Sequence, residues 1–173
     1  TAADALGVDI TVHALTKYPC GGGDVLMGSV VTRSDSLAKR LNLSHARIGF
    51  GVGMNDVETI LRGLPSMQLR YQTADKTARS LAQWCAQQQG VVQVLHPALD
   101  SGVGHANWQA VCTSAEQPQG HAASLFTLVL NPSLAAHKVD AFCDALRLFR
   151  LGYSWGGFTS MVMQYNLSSM RTM

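Results

Sequence analysis

The hydrophobic and polar positions change period several times along the chain. Ala2 to Leu6 reads as the end of a helix stopped by Gly7. Asp9 to Leu15 places β-branched residues at alternate positions, the signature of a strand. A loop with Pro19 and the run Gly21-Gly22-Gly23 follows. Val25 to Val31 is almost wholly apolar or small, which suits a strand covered on both faces. Ser34 or Asp35 then caps a helix reaching about Leu43.

Gly49, Gly51 and Gly53 mark a turn, after which Asn55 or Asp56 is placed to cap a helix bearing Val57, Ile60, Leu61 and Leu64. Pro65 either starts a second helix or kinks one long helix. The apolar stripe through Met67, Leu69, Ala74, Ala78, Leu81, Ala82 and Cys85 persists to about Gln89, and Gly90 ends it. A helix of that length suggests a bridge between two domains, with a boundary near Leu64 that divides the chain into 1–64 and 65–173. The second part reads as α+β. It has a strand at Val91 to Leu95, a mostly irregular stretch with a short helix near Trp108, and a strand at Ser124 to Leu130. A helix opened by Asn131-Pro132-Ser133 follows, with Val139, Phe142, Cys143, Leu146 and Phe149 on one face. Tyr153 to Gly157 is a turn, and a short apolar segment runs on to Met163.

Composition narrows the function classes. Hydrophobic residues make up 47% of the 173, too many for a disordered chain. A net charge of +2, with only 14% charged residues, gives no basic stripe for nucleic acid. No apolar run approaches the ~18 residues of a membrane span. No basic and apolar leader follows Thr1, so no signal peptide is expected. Cys20, Cys85, Cys112 and Cys143 are widely spaced and predict reduced thiols in a cytoplasmic protein. His96 and His105 lack the spacing of a metal pair, so no metal is expected.

The segment that carries chemistry is His13-Ala14-Leu15-Thr16-Lys17-Tyr18. A lysine ending a buried strand is partly desolvated, which favours the neutral amine as a nucleophile for Schiff-base chemistry. Thr16 offers a hydroxyl to a phosphate. On pattern alone, a surface lysine at a strand end is the competing reading.

Asp9 to Tyr18, followed by Gly23-Asp24-Val25-Leu26-Met27-Gly28, resembles the cofactor-lysine segment of the Cys/Met-metabolism pyridoxal phosphate enzymes. That family includes cystathionine β-lyase, cystathionine γ-lyase, cystathionine γ-synthase and O-acetylhomoserine sulfhydrylase. Gly22 stands where the family usually has histidine, and Ala14 where many members have serine. Leu61-Arg62-Gly63-Leu64, His96-Pro97-Ala98-Leu99, Gly104-His105 with Trp108, and Ser124 to Leu130 resemble later landmarks in the same order. Tyr153-Ser154-Trp155-Gly156-Gly157 is similar to the bacterial cystathionine β-lyase version of a motif that elsewhere reads Ser-Leu-Gly-Gly. Thr159 replaces a common glutamate.

The resemblance implies an α/β fold of the fold-type-I pyridoxal phosphate kind. Residues 1–64 would be the latter part of the large mixed-sheet, cofactor-binding domain. Residues 65–173 would be a linker helix and an incomplete, smaller α+β domain. It implies pyridoxal phosphate held covalently by Lys17, with Thr16 beside it, and a small amino-acid substrate held by Ser154, Tyr153 and Trp155. The implied reaction converts cystathionine and water to homocysteine, pyruvate and ammonia, in a homotetramer built from dimers. The ring-stacking aromatic, the aspartate for the pyridine nitrogen and most phosphate donors would fall before Thr1. The substrate-carboxylate arginine would fall after the end, since Arg171 lacks its motif. The chain is therefore expected to be a middle-to-late piece of a larger enzyme. Another reaction of the family, or a non-catalytic piece that only packs against partners, is the alternative.

Eight further positions have mainly structural readings. Tyr18 is a packing residue, Asp24 a turn residue, and His13 a satisfied core histidine. Trp155 is as well suited to core or interface as to a site, and Met161, Met163, Met170 and Met173 mark packing or an interface.

Overall fold

The computed structural model describes residues 2–167; Met170, Arg171 and Met173 lie outside them. The order is α1 (Ala2–Ala5), β1 (Thr11–Ala14), β2 (Gly28–Val31), α2 (Asp35–Ile48), α3 (Met54–Cys85), β3 (Val91–Leu95), α4 (His105–Cys112), β4 (Thr127–Leu130), α5 (Ala136–Ala145), β5 (Arg150–Leu151) and β6 (Met161–Val162). The strands form three pairs. β1–β2 and β3–β4 are antiparallel, and the short β5–β6 pair is parallel. No helix among the described residues is long and apolar enough to cross a membrane.

Local chemistry sets most boundaries. The Ser34 side chain accepts from the Leu37 N–H and caps α2. The helix continues past Leu43 to Ile48, where Gly49 takes the left-handed cap conformation at φ 76°. The cap of α3 is Gly53, without a side-chain bond, so Asn55 and Asp56 sit inside its first turn instead of capping it. α3 runs unbroken through Pro65 for 32 residues, about 48 Å. Proline removes one rung of the backbone ladder. In the same region Ser66 Oγ and Arg70 Nη2 both donate to the Gly63 carbonyl. α5 starts only at Ala136, because Asn131 Oδ1 accepts from the Ser133 N–H and folds that stretch into a turn. Leu146 and Phe149 thus lie beyond its last turn, and Cys143 is its one buried residue.

Two small cores flank α3. Near its N-terminal end Ile60 packs with Cys20 and Val25, bordered by Leu15 and Met27. Burying one such isoleucine contributes about 2 kcal/mol. Near its C-terminal end Ala82 and Cys85 pack with Val94, bordered by Leu81, Phe126 and Leu128. The same helix therefore supports both the Lys17 loop and the β3–β4 pair.

The strand at 25–31 is not covered on both faces. It begins at Gly28, and Val30 and Val31 are exposed, as is Leu26. A lone antiparallel partner supplies no layer above or below it. Within these residues His13 is exposed for the same reason, so they do not supply the buried setting expected for it.

Candidate active site

Lys17 ends a tight turn after β1. Its N–H donates to Ala14 O, and its carbonyl accepts from the Gly21 N–H. Its side chain is half-buried and meets the 153–157 turn from the other end of the chain. Lys17 Nζ lies 2.9 Å from Ser154 Oγ and 4.2 Å from the centroid of the Trp155 ring. A largely exposed hydrogen bond contributes about 1 kcal/mol, and a partly exposed cation–π contact about 0.5–1 kcal/mol. That is enough to aim the amine and too little to lock it. Among the described residues no carboxylate pairs with Lys17.

Three of the five residues expected at the site therefore meet: Lys17, Ser154 and Trp155. Tyr153 is 80% exposed and does not join them. Thr16 Oγ1 accepts from the Met27 N–H at 3.1 Å and donates to Met27 O at a long 3.4 Å. Its hydroxyl thus joins β1 to the segment before β2, and it reaches a phosphate only by releasing the weaker bond. A cleft of about 290 Å³ borders the cluster, lined by Gly22, Gly23, Ser154, Trp155 and Phe158 among others.

Two of the supporting residues, Arg70 and Asp75, are ones that local pattern did not single out. Arg70, on α3, donates to the carbonyls of Tyr18 at 2.8 Å and Gly63 at 2.9 Å, and from Nε to Ser66 Oγ. Its guanidinium fills the space over Gly21, where a β-carbon would lie 2.7 Å from Arg70 Cζ. Asp75 is buried, accepts from Arg79 Nε at 3.0 Å and from the Ala122 N–H at 2.7 Å, and lies 3.7 Å from His121 Nδ1. It sits on the apolar stripe three residues before Ala78, a position where a carboxylate is itself a signal of pairing. Asp24 accepts from Cys20 Sγ at 3.2 Å and fixes the glycine loop.

Burial first, then the neighbouring Tyr18 and Asp75, push the Tyr71 phenol above its usual range. Burial also raises the Cys85 thiol, and burial with Asp144 and Asp140 nearby raises that of Cys143. All four cysteines are free.

The model of the Cys/Met metabolism PLP-dependent enzymes matches residues 2–173. The chain belongs to this family. It is 38% identical over 165 residues to a cystathionine beta-lyase candidate of Rhizobium johnstonii, covering 94% of this chain and 40% of that protein. It is 35% identical over 157 residues to the cystathionine beta-lyase of Bordetella avium, covering 91% of this chain and 37% of that one. Among solved structures, the cystathionine gamma synthase of Xanthomonas oryzae pv. oryzae in complex with cystathionine matches with a TM-score of 0.80 and 31% identity, over 92% of this chain and 39% of that one. The chain thus spans well under half the length of these relatives. The fold is that of the PLP-dependent cystathionine enzymes, fold-type I, and the family's cofactor is pyridoxal phosphate.

The residues present fit that cofactor in one respect that the geometry shows. The amine of a half-buried residue is held by a hydroxyl and a ring face, and among the described residues no carboxylate pairs with it.

Proposed function

We propose that the whole protein is a carbon–sulfur lyase that β-eliminates cystathionine to homocysteine, pyruvate and ammonia, with Lys17 as its working amine. The observation that carries the reading is the 2.9 Å contact between Lys17 Nζ and Ser154 Oγ, residues 137 positions apart. The Tyr153-Ser154-Trp155-Gly156-Gly157 sequence and the β-lyase relatives support this reaction.

Bound pyridoxal phosphate supplies an electron sink for the pair left at the substrate Cα. Lys17 would anchor it and, once its amine is free and neutral, take the Cα proton and deliver a proton to the departing sulfur. Ser154 accepts a hydrogen bond from the amine and so points its lone pair. Trp155 screens one side of the amine from water. Thr16 is the proposed phosphate contact, and Tyr153 joins the substrate contacts only if the turn moves. Residues 1–64 are the proposed end of the cofactor domain and 65–173 the linker helix with the smaller domain. Exposed Leu26, Tyr153 and Phe158 supply apolar surface for the proposed tetramer of paired dimers.

The likeness to a gamma synthase favours a second reading, γ-elimination or γ-replacement, which also needs a proton removed at Cβ. Product analysis of the full-length protein with cystathionine separates the two. Pyruvate supports β-elimination, and 2-oxobutanoate with cysteine overturns it. Borohydride reduction of the loaded protein, followed by peptide mapping, should place the label on Lys17. A label on Lys39, Lys76 or Lys138 overturns the assignment.

A further inference from the structure

Tyr18 touches four parts of the molecule at once. Its carbonyl accepts from Arg70 Nη1. Its hydroxyl pairs with Ser124 Oγ at 2.7 Å and accepts from the Ser124 N–H at 3.0 Å. Its ring meets Tyr71 edge-on, with centroids 4.9 Å apart. Its face lies under Gly156, where a β-carbon would be 3.1 Å from Tyr18 Cδ2. Gly156 also takes φ 72°, so two independent constraints exclude a side chain there.

These contacts join the two halves of the Lys17–Ser154 pair. Tyr18 follows Lys17 directly, and Gly156 lies two residues after Ser154 in the same turn. The anchor at Ser124 is itself fixed. Asp75 holds the Ala122 N–H, and Ala123 is kept at φ 63°, a conformation that a non-glycine residue adopts only when its surroundings impose it. A ring pinned at its carbonyl, edge, face and hydroxyl has little freedom to tilt.

We infer that Tyr18 is a positioning residue for Lys17, setting the distance between the lysine amine and Ser154 by holding their two segments against one ring. The inference rests on Lys17 being the working amine of the proposed function. Tyr18→Phe removes the bonds to Ser124 and keeps the ring, so the 154–156 turn loses its fixed reference.

The test is competitive acetylation of the full-length protein freed of cofactor, with Lys39 as internal reference and peptide mapping as readout. Ser154→Ala should raise Lys17 labelling about fivefold, the factor that the loss of one exposed hydrogen bond to the ammonium gives. Tyr18→Phe should raise it by a similar factor, and the double variant should go no further than Ser154→Ala alone. Ser124→Ala keeps the backbone bond to the Tyr18 hydroxyl and should give a smaller rise. It decides the matter if Tyr18→Phe does not fold. Unchanged Lys17 labelling in a folded Tyr18→Phe protein, even one of lower thermal stability, overturns the inference, and so do additive effects in the double variant. The expected labelling pattern in a protein without lyase activity upholds the positioning role and counts against the proposed reaction.

Discussion

Gly63 of α3 lies so close to Pro19 that a β-carbon there would overlap the Pro19 carbonyl oxygen, with the Cys20 carbonyl hardly farther away. The Arg62-Gly63-Leu64 sequence thus has a physical reason: only a residue without a side chain lets the helix touch the backbone of the lysine loop. Gly63→Ala should destabilise the full-length protein by about 1–3 kcal/mol, because backbone on both sides must move. Gly51→Ala is the control, since nothing lies within 4 Å of its added carbon. Denaturant midpoints of the two variants should differ accordingly. Equal midpoints would show that the close contact has no energetic weight.

The buried Asp75 predicts an order of costs. Arg79→Met leaves a buried carboxylate with the Ala122 N–H and the more distant His121 Nδ1 but no guanidinium, and should cost about 3 kcal/mol. Asp75→Asn keeps an acceptor for Ala122 and leaves Arg79 its bond to the Gly120 carbonyl, so about 1–2 kcal/mol is expected. Urea unfolding of both variants measures this. The reverse order would mean that Asp75 is not the group that suffers most from losing its partner.

His96 predicts a dependence on pH. It is 2% exposed, its Nδ1 accepts from the Ala98 N–H, and its Nε2 has no partner. Burial, with the charge of Arg79 second, lowers its pKa from the ordinary 6.5, against a smaller opposing pull from Asp75. Between the folded and unfolded values the unfolded chain binds more protons. The neutral ring's contribution is therefore complete above the unfolded value near 6.5 and is lost as pH falls toward the folded one. The loss is at most about 1.4 kcal/mol per pH unit. Melting temperature should fall more steeply below pH 6.5 in the wild type than in His96→Asn, which keeps the acceptor toward Ala98 and cannot titrate. Parallel curves would remove His96 from the account.

Local signals were legible where local chemistry decides. The Ser34 cap and the glycine-rich turn after Lys17 could be read from their neighbours alone, whereas α2 runs past Leu43 to Ile48 and α3 stops at Cys85, before Gly90. Pro65 left two readings open, because continuity of α3 depends on packing outside its own window. His13 and Val31 are exposed within these 173 residues although their strands suit burial, because the layer that covers a strand is set by tertiary structure outside its own window. At the site, the motifs brought Lys17, Ser154 and Trp155 to notice. Arg70 and Ser124 gave no local sign, since each acts on the Tyr18 segment across more than 50 positions. Asp75 did leave one, as a carboxylate on an otherwise apolar face.

The separation of Lys17 from Ser154 also has a consequence in time. On a ribosome adding about 5–20 residues per second, Ser154 is joined about 7–30 s after Lys17. For that interval the amine has neither its hydroxyl nor the Trp155 face. The turn that aims it arrives only after α3 and the β3–β4 pair have been made. The nascent chain thus carries Lys17 without its Ser154 and Trp155 contacts until most of these residues exist.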